Sequence, residues 1–321
     1  MAPPVRIGAR GSRLSQAQSR TIQARIAAAL GADPAVPAEV ERVAPLILIT
    51  TSGDRIQDRR LLDEGGKGLF TKEIEAALAT GEIDAAVHSL KDVPSLQPPG
   101  LVLAAHPERE DPRDAFCSLA YGGLQALPQG ARLGTASLRR QAQSLHRRPD
   151  LELVMMRGNV DTRLSKLAGG EADAILLALA GLKRLGLADH VREVLDPVEA
   201  PPAPGQGALA IQTRSADVGA AWLAALRHEP TMLTIAAERG ALEALEGSCR
   251  TAIGAHAVLN GSRLSLIVEA LTPDGGERWR REGVIDLSGR AEPEAAAHAL
   301  GLDLGRAIRD EAGDRLLLGH D

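Results

Sequence analysis

The chain has 321 residues, a formal net charge of −5, 44% hydrophobic residues and only 2% aromatic residues. A chain of this length usually divides into two or three domains, and cores with so few aromatic rings must consist mainly of Leu, Val, Ile and Ala. The negative charge and the shortage of rings argue against a nucleic-acid-binding surface, and the absence of a run of about eighteen apolar residues argues against a membrane span.

Strand and helix patterns alternate over the first hundred residues. A helix is predicted from Leu14 to Leu30, with Ser12 or Ser15 as its cap, and another helix begins at Thr71. Polar and glycine-rich residues predict a mobile loop at 50–68. Short apolar runs predict strands at 5–8, 46–50, 85–87 and 101–105.

The alternation restarts in the second hundred residues. Helices are predicted at 137–147 and at 160–167, the second one capped by Asn159. A strand at 208–212 follows a proline-rich linker and is predicted to return to the first domain. Two such runs predict two doubly wound α/β domains. The strands of the second run are predicted at 131–134, 152–155 and 174–179.

The pattern changes near Thr231, where a helix at 232–245 is followed by a loop. The turn PDGG joins two predicted strands, 264–271 and 279–285, into an antiparallel hairpin, and a helix at 293–311 follows. This region is predicted to be a small α+β domain. The predicted domains are α/β domain 1 (1–107 with 208–227), α/β domain 2 (108–203) and α+β domain 3 (228–321).

Cationic side chains lie in loops after predicted strands rather than on helix faces. Ligands of α/β domains bind at the carboxyl ends of strands, where helix N-termini also favour anions. Guanidinium groups bind carboxylates bidentately, so the pattern predicts a cleft for a ligand with many carboxylates. The alternative is that each cation is a solvated surface charge. The cations are Arg10, Lys91, Arg139, Arg140, Arg157 and Arg163.

One carboxylate, Asp92, is embedded in this set and directly follows Lys91. Opposite charges nearby keep a carboxylate ionised, and such a group can stabilise a cationic intermediate or move protons. The structural alternative is an aspartate that caps a turn before Val93 and Pro94.

Two cysteines are too few for a disulfide framework, and the short polar N-terminus lacks a secretory signal, so we expect a reduced, cytoplasmic setting. Cys249 lies in a loop beside Arg250, and a neighbouring cation favours the reactive thiolate. The alternative for Cys249 is a buried structural cysteine. The apolar run around Cys117 predicts that structural role for Cys117.

Nine segments, in one order along nearly the whole chain, resemble the porphobilinogen deaminase (hydroxymethylbilane synthase) family. The combination of HSLKDVP, SLRRQ and RGNVDTRL is highly specific. The segments are GARGSRL (8–14), GGKGLFTKEIE (65–75), HSLKDVPS (88–95), REDPRDAF (109–116), GTASLRRQ (134–141), RGNVDTRLSKL (157–167), LALAGLKRLG (177–186), PGQGAL (204–209) and LEGSCRTAIGA (245–255).

The resemblance implies two periplasmic-binding-protein-like doubly wound domains plus a small α+β C-terminal domain. It also implies a transferase of porphyrin and heme biosynthesis, which joins four porphobilinogen molecules head to tail, releases four ammonia molecules and forms linear hydroxymethylbilane. A dipyrromethane cofactor, made from the same building blocks, would be attached to Cys249 by a thioether and serve as the primer.

The resemblance further implies roles for individual residues. Asp92 would be catalytic and would stabilise the azafulvenium cation that ammonia loss leaves. Hinge motion is expected near 200–208. Cofactor binding would fall to Lys91, Asp92, Thr135, Ser137, Arg139 and Arg140. Substrate and the growing chain would be held by Arg10, Ser12, Arg157 and Arg163. A lid loop would contain Lys67 and Phe70.

The chain departs from the family pattern at two positions. Asp63 stands where many members carry a lysine, and Ala136 replaces a serine. Arg55, Arg59 or Arg60 are candidates to replace the missing cation.

A competing hypothesis is a non-catalytic protein that binds dicarboxylates or oxyanions, which would leave Cys249 without a role. The main hypothesis predicts a cytoplasmic monomer whose small-molecule substrate is porphobilinogen. It predicts no nucleic acid, membrane or obligate protein partner. The histidines lack metal-ligand spacing, so no metal is expected.

Overall fold

A computed structural model of the chain describes residues 3–55, 70–245 and 251–317. The strands found there are β1 (Ile7–Arg10), β2 (Leu46–Ile49), β3 (Ala85–Ser89), β4 (Leu101–Ala105), β5 (Asp114–Cys117), β6 (Arg132–Thr135), β7 (Glu152–Met155), β8 (Ala174–Ala178), β9 (Glu193–Val194), β10 (Leu209–Arg214), β11 (Ala252–Asn260), β12 (Arg263–Leu271) and β13 (Arg278–Asp286). The α-helices are α1 (Arg13–Ala29), α2 (Pro37–Val43), α3 (Ser52–Arg55), α4 (Lys72–Thr80), α5 (Leu138–Arg147), α6 (Val160–Ala168), α7 (Leu179–Arg184), α8 (Glu229–Leu245) and α9 (Pro293–Ala312).

The chain forms two compact units. Unit 1 contains Met1–Glu110 and Ala208–Met232, and unit 2 contains Asp111–Gly207 and Leu233–Asp321. The predicted division into three domains stays a prediction.

Unit 1 is built on a five-stranded sheet in the order β2-β1-β3-β10-β4. Strands β1, β2 and β3 are parallel, and β10 is inserted antiparallel between β3 and β4. The prediction that the strand after the linker returns to the first domain is therefore confirmed.

Helices cover both faces of the unit 1 sheet, because successive side chains of a strand point to opposite sides. Val87 of β3 belongs to the core that contains Ile22 of α1. Its neighbour Ala86 belongs to the core that contains Ile74 and Leu78 of α4.

Unit 2 contains a second five-stranded sheet, in the order β7-β6-β8-β5-β9. Strands β6, β7 and β8 are parallel, whereas β5 runs antiparallel to β8 and pairs Asp114 with Ala178. Because β5 runs antiparallel to β8, its first residue, Asp114, lies at the edge of the sheet where the parallel strands end. The sequence analysis did not predict β5.

Unit 2 also contains the antiparallel sheet β11-β12-β13, which packs with α8 and α9 around its own core. The predicted hairpin is confirmed as β12 and β13, while β11 was not predicted. The sheet contacts α5, where Ala142 packs against Ala252 and Leu271. The prediction of two α/β regions and a small α+β region is thus confirmed.

Among the helices that the structure describes, none combines the length and the apolar character needed to cross a membrane.

Candidate functional site

In unit 1, the carboxyl ends of parallel strands carry the residues predicted from the sequence. Strand β1 ends at Arg10, and β3 leads directly into a 3₁₀ turn, Leu90–Asp92. Because β1 and β3 are parallel, both ends lie at one edge of the sheet. The prediction that these cations follow strand ends is confirmed.

The turn after β3 separates buried apolar side chains from exposed charged ones. Leu90 and Val93 are almost fully buried, whereas Lys91 and Asp92 are exposed. Asp92 makes no hydrogen bond or ion pair with any residue that the structure describes. The structural alternative, in which Asp92 caps a turn, is therefore not observed.

Arg10 and Ser12 occupy the start of α1. Ser12 is the N-cap of α1, and its side chain accepts a hydrogen bond from Ser15 N. Ser12 is one of the two residues that were predicted as this cap. The guanidinium of Arg10 lies 4.0 Å from the ring centroid of Phe70, which is a cation–π distance. Phe70, predicted as a lid residue, thus contacts a predicted substrate-binding cation.

In unit 2, a corresponding edge carries a capped helix N-terminus. Strand β6 ends at Thr135, whose hydroxyl accepts from Ser137 N at 3.1 Å. Ser137 is the N-cap of α5 and accepts from Arg140 N. Helix N-termini attract anions, so Thr135 and Ser137 lie where a carboxylate would be bound.

Arg139 and Arg140 are buried and share one carboxylate, Asp114. Arg139 Nη1 lies 2.7 Å from Asp114 Oδ2, and Arg140 Nη2 lies 2.8 Å from Asp114 Oδ1. Burial opposes ionisation of Asp114, but the charges and hydrogen bonds of the two arginines outweigh it and hold the pKa of that carboxyl well below its usual range.

The two arginines differ in the donors that they leave for a ligand. Arg140 uses Nε and Nη2 on Asp114 and Nη1 on the Leu176 carbonyl. Arg139 uses Nη1 alone, and its buried Nε has no hydrogen-bond partner in the part of the chain that the structure describes. Arg139 therefore retains N–H groups that can donate to a ligand, whereas most N–H groups of Arg140 already donate to other residues of the protein.

Asp114 and Gln206 are the residues of this cluster that the sequence analysis missed. Gln206 Nε2 donates to Asp114 Oδ1 at 2.8 Å and to the Pro112 carbonyl at 2.7 Å. Both residues lie in family-like segments, REDPRDAF and PGQGAL, and these segments are the signal that could have identified them.

Arg157 and Arg163 follow β7, whose end lies at the same edge as that of β6. Arg157 Nη1 is buried and finds no hydrogen-bond partner among the described residues. Arg163 Nε donates to the Gly158 carbonyl at 2.9 Å. Asn159 caps α6, as predicted.

Of the two cysteines, Cys117 lies within the described residues and Cys249 does not. Cys117 is a free, buried thiol in β5, and burial raises its pKa to about 11, so its predicted structural role is confirmed. Cys249 lies outside the described residues, and so do Lys67, Arg59, Arg60 and Asp63. The described stretches contain no cluster of three potential metal ligands.

Comparison with known proteins finds relatives along nearly the entire chain. Residues 5–221 match the family model described as "Porphobilinogen deaminase, dipyromethane cofactor binding domain", and residues 232–310 match "Porphobilinogen deaminase, C-terminal domain". Porphobilinogen deaminase of Caulobacter vibrioides (strain NA1000 / CB15N) is 67% identical over 321 residues, which are 98% of each chain. The protein of the same name from Phenylobacterium zucineum (strain HLK1) is 66% identical over 316 residues, which cover 98% of this chain and 99% of the relative.

Among solved structures, the methionine-binding protein MetQ has a TM-score of 0.44 and 15% identity, covering 71% of this chain and 91% of that one.

The chain belongs to the porphobilinogen deaminase family. The predicted family, transferase class and dipyrromethane cofactor are confirmed, and the competing hypothesis of a non-catalytic binding protein is not supported.

Proposed function

We propose that this chain joins four porphobilinogen molecules head to tail into hydroxymethylbilane, with Asp92 as the catalytic acid–base group and Cys249 as the attachment point of the primer. The observation that carries the proposal is the exposed carboxylate of Asp92, which follows Lys91 at a strand end and has no partner in the described residues. A carboxylate held in this way is available to a substrate.

The donors of unit 2 fit a cofactor that carries several carboxylates. The buried Nε of Arg139 has no partner among the described residues, and Thr135 and Ser137 lie at the N-terminus of α5. We assign cofactor binding to these residues and to Lys91. When bound, the cofactor supplies a covalently held two-pyrrole primer. Arg140 would contribute mainly through Asp114, since that carboxylate already occupies its Nε and Nη2.

The assignment of Cys249 is supported by the described residues that precede and follow 246–250. Leu245 at the end of α8 and Ala252 at the start of β11 are both buried in unit 2. Ala252 packs against Ala142 of α5, the helix that also carries Arg139.

Substrate binding is assigned to Arg10, Ser12, Arg157 and Arg163. Each pyrrole of porphobilinogen carries an acetate and a propionate, and a hydrogen bond to a charged group contributes about 1.5–3 kcal/mol. The Nη1 of Arg157, which has no partner within the described part of the chain, supports this role most directly. Arg10 would bind carboxylates while its guanidinium stays over the ring of Phe70.

Asp92 would act on the substrate as ammonia leaves. Breaking the bond between the aminomethyl carbon and nitrogen leaves positive charge on the substrate pyrrole, and a nearby carboxylate stabilises that charge. The same carboxylate would accept and return the protons that bond formation releases. We also propose that the enzyme acts in the cytoplasm as a monomer, without a nucleic acid, membrane or obligate protein partner.

Replacing Asp92 tests the proposal. Asp92→Ala is expected to lower kcat for porphobilinogen by about 10²- to 10⁴-fold, while KM changes little because the cations that bind carboxylates remain. Turnover is normalised to the fraction of protein that carries the covalent adduct, measured by intact mass. Asp303→Ala, which removes an exposed aspartate of α9, is the matched control and should leave kcat unchanged. Near-normal turnover of Asp92→Ala would remove Asp92 from the catalytic role.

A further inference from the structure

A series of linked hydrogen bonds in unit 1, buried at His88 and partly buried at Gln97, begins before the Lys91–Asp92 turn and ends after it. His88 Nε2 lies 3.1 Å from Gln212 Oε1, Gln212 Nε2 donates to Gln97 Oε1 at 2.9 Å, and Gln97 Nε2 donates to the Pro94 carbonyl at 2.9 Å. His88 is in β3 and Pro94 is two residues beyond Asp92, so the two attachment points enclose the turn.

The Pro94 carbonyl is the last acceptor in this series of hydrogen bonds, and it determines which group donates and which accepts in each of them. A backbone carbonyl such as that of Pro94 can only accept, so Gln97 must turn its amide nitrogen toward Pro94 and its oxygen toward Gln212. Gln212 must then donate to Gln97 and accept from His88. His88 therefore carries its hydrogen on Nε2.

The protonation state of His88 agrees with this direction. Burial lowers the pKa of His88 to about 4, with the hydrogen bond to Gln212 opposing the shift and the charge of Arg10 adding to it. Near neutral pH the ring is therefore uncharged and has one hydrogen, the one that Gln212 requires. Gln212 Nε2 also lies 3.3 Å from Glu75 Oε1, an acceptor that enforces the same orientation.

Two backbone hydrogen bonds also hold the turn. Leu90 N donates to the Ala208 carbonyl at 3.0 Å, and Val93 N donates to the Leu90 carbonyl at 3.0 Å. Leu90 and Val93 anchor the turn through burial, while Asp92 has no partner of its own in the described residues. The backbone of the turn therefore sets where the Cβ of Asp92 lies and from where its carboxylate can reach a substrate.

We propose that His88, Gln212 and Gln97 are positioning residues, which clamp the turn at both ends and so hold the carboxylate of Asp92 in its catalytic orientation. This inference rests on the proposed function, because it takes Asp92 as the group that acts on the substrate. A misplacement of about 1 Å can cost about 10²-fold in rate, so loosening the clamp should affect turnover more than substrate affinity.

Gln97→Met is the decisive variant, because Gln97 is only half-buried and methionine keeps its volume while removing both hydrogen bonds. We expect kcat, normalised to adduct-bearing protein, to fall about 10- to 100-fold, with KM and the midpoint of urea unfolding nearly unchanged. The matched control is Gln23→Met. Gln23 is a buried glutamine of unit 1 that donates to Glu41 and to the Ala44 carbonyl, and losing these bonds should lower stability without lowering kcat.

A second measurement asks whether Gln97 acts through Asp92. In an Asp92→Ala background, Gln97→Met is expected to change kcat by less than about twofold, because mutations that act through one group are not additive. The inference is overturned if Gln97→Met alone keeps wild-type kcat, or if its full effect persists without the Asp92 carboxylate. Failure of the proposed function gives a different result, in which Asp92→Ala itself turns over normally.

Discussion

At the scale of single residues, Asp114 determines which guanidinium atoms of unit 2 remain available to a ligand. Its two oxygens accept hydrogen bonds from Arg139, Arg140 and Gln206. One negative charge thus faces two positive charges, and all three charged side chains are at least about nine-tenths buried. The surplus positive charge favours an anionic ligand at Arg139, where Nε has no partner in the described chain.

Asp114→Asn is predicted to destabilise the fold by about 3–5 kcal/mol, because it leaves two buried guanidinium groups without their counter-charge. The pKa of Asp114 is lowered in the folded state. Its contribution to stability is therefore fully present above the unfolded pKa of about 4 and is lost as the pH falls through the lower folded value. Urea unfolding at pH 7 measures the effect.

Asp111→Asn is the control for Asp114→Asn. Asp111 pairs with Arg113 at 2.6 Å, but the Arg113 side chain is 41% exposed, and such pairs contribute about 0–1 kcal/mol. Equal losses of stability in the two variants would contradict the account of the buried cluster.

Residues of the site could be predicted from the sequence when their signal was local. Ser12 was one of two predicted caps of α1 and Asn159 was the predicted cap of α6, and both residues cap those helices. Contacts between residues that are far apart in the sequence were not predictable in this way. His88 and Gln212, for example, are 124 positions apart. Only the antiparallel insertion of β10 beside β3 brings those side chains together.

At the scale of elements, α5 contacts the three-stranded sheet, and its N-terminus carries residues that we propose bind the cofactor. His146 Nδ1 lies 2.9 Å from the Gly275 carbonyl, and Gln141 Nε2 donates to the Pro273 carbonyl. Gly275 has φ +72°, and a Cβ added to it would lie 2.5 Å from the Ala142 carbonyl oxygen. The hairpin turn therefore reaches α5 only because residue 275 lacks a side chain.

Gly275→Ala is predicted to destabilise the protein by about 1–3 kcal/mol more than Gly289→Ala. Both glycines have positive φ, but a Cβ at Gly289 would have no atom within 4 Å. Gly289→Ala therefore introduces the backbone strain of a positive φ, about 1–2 kcal/mol, without a steric clash at the added Cβ. Urea unfolding compares the two variants, and equal values would show that the turn does not depend on its close approach to α5.

Elements with strong periodicity or turn signals were predictable, whereas several weaker ones, among them α2, β5 and β11, were not. Helix α1 and the hairpin β12–β13 lie close to their predicted ranges. Helix α2 buries only Val40, and β5 has four residues. Strand β11 is rich in alanine and contains Gly254, residues with low strand propensity. It is stabilised by pairing along its whole length with β12, which the local sequence does not reveal.

At the scale of the whole molecule, a chain with a net charge of −5 concentrates cations at two sheet edges. Unit 1 contains Arg10, Lys91 and Asp92, the proposed catalytic carboxylate, and unit 2 contains the buried arginine cluster. A chain with negative net charge can thus act on polyanionic pyrroles, because local cations and not net charge decide binding.

The central claim is that Cys249, and not Cys117, carries a two-pyrrole primer. The most direct test is the intact mass of the full chain, purified from a porphyrin-producing host, compared with Cys249→Ala and Cys117→Ala. We predict that the wild type and Cys117→Ala exceed their sequence masses by one dipyrromethane, since Cys117 is buried and its pKa is raised to about 11. Cys249→Ala should have its sequence mass. A wild-type chain without the added mass, or an adduct that survives Cys249→Ala, would contradict the account.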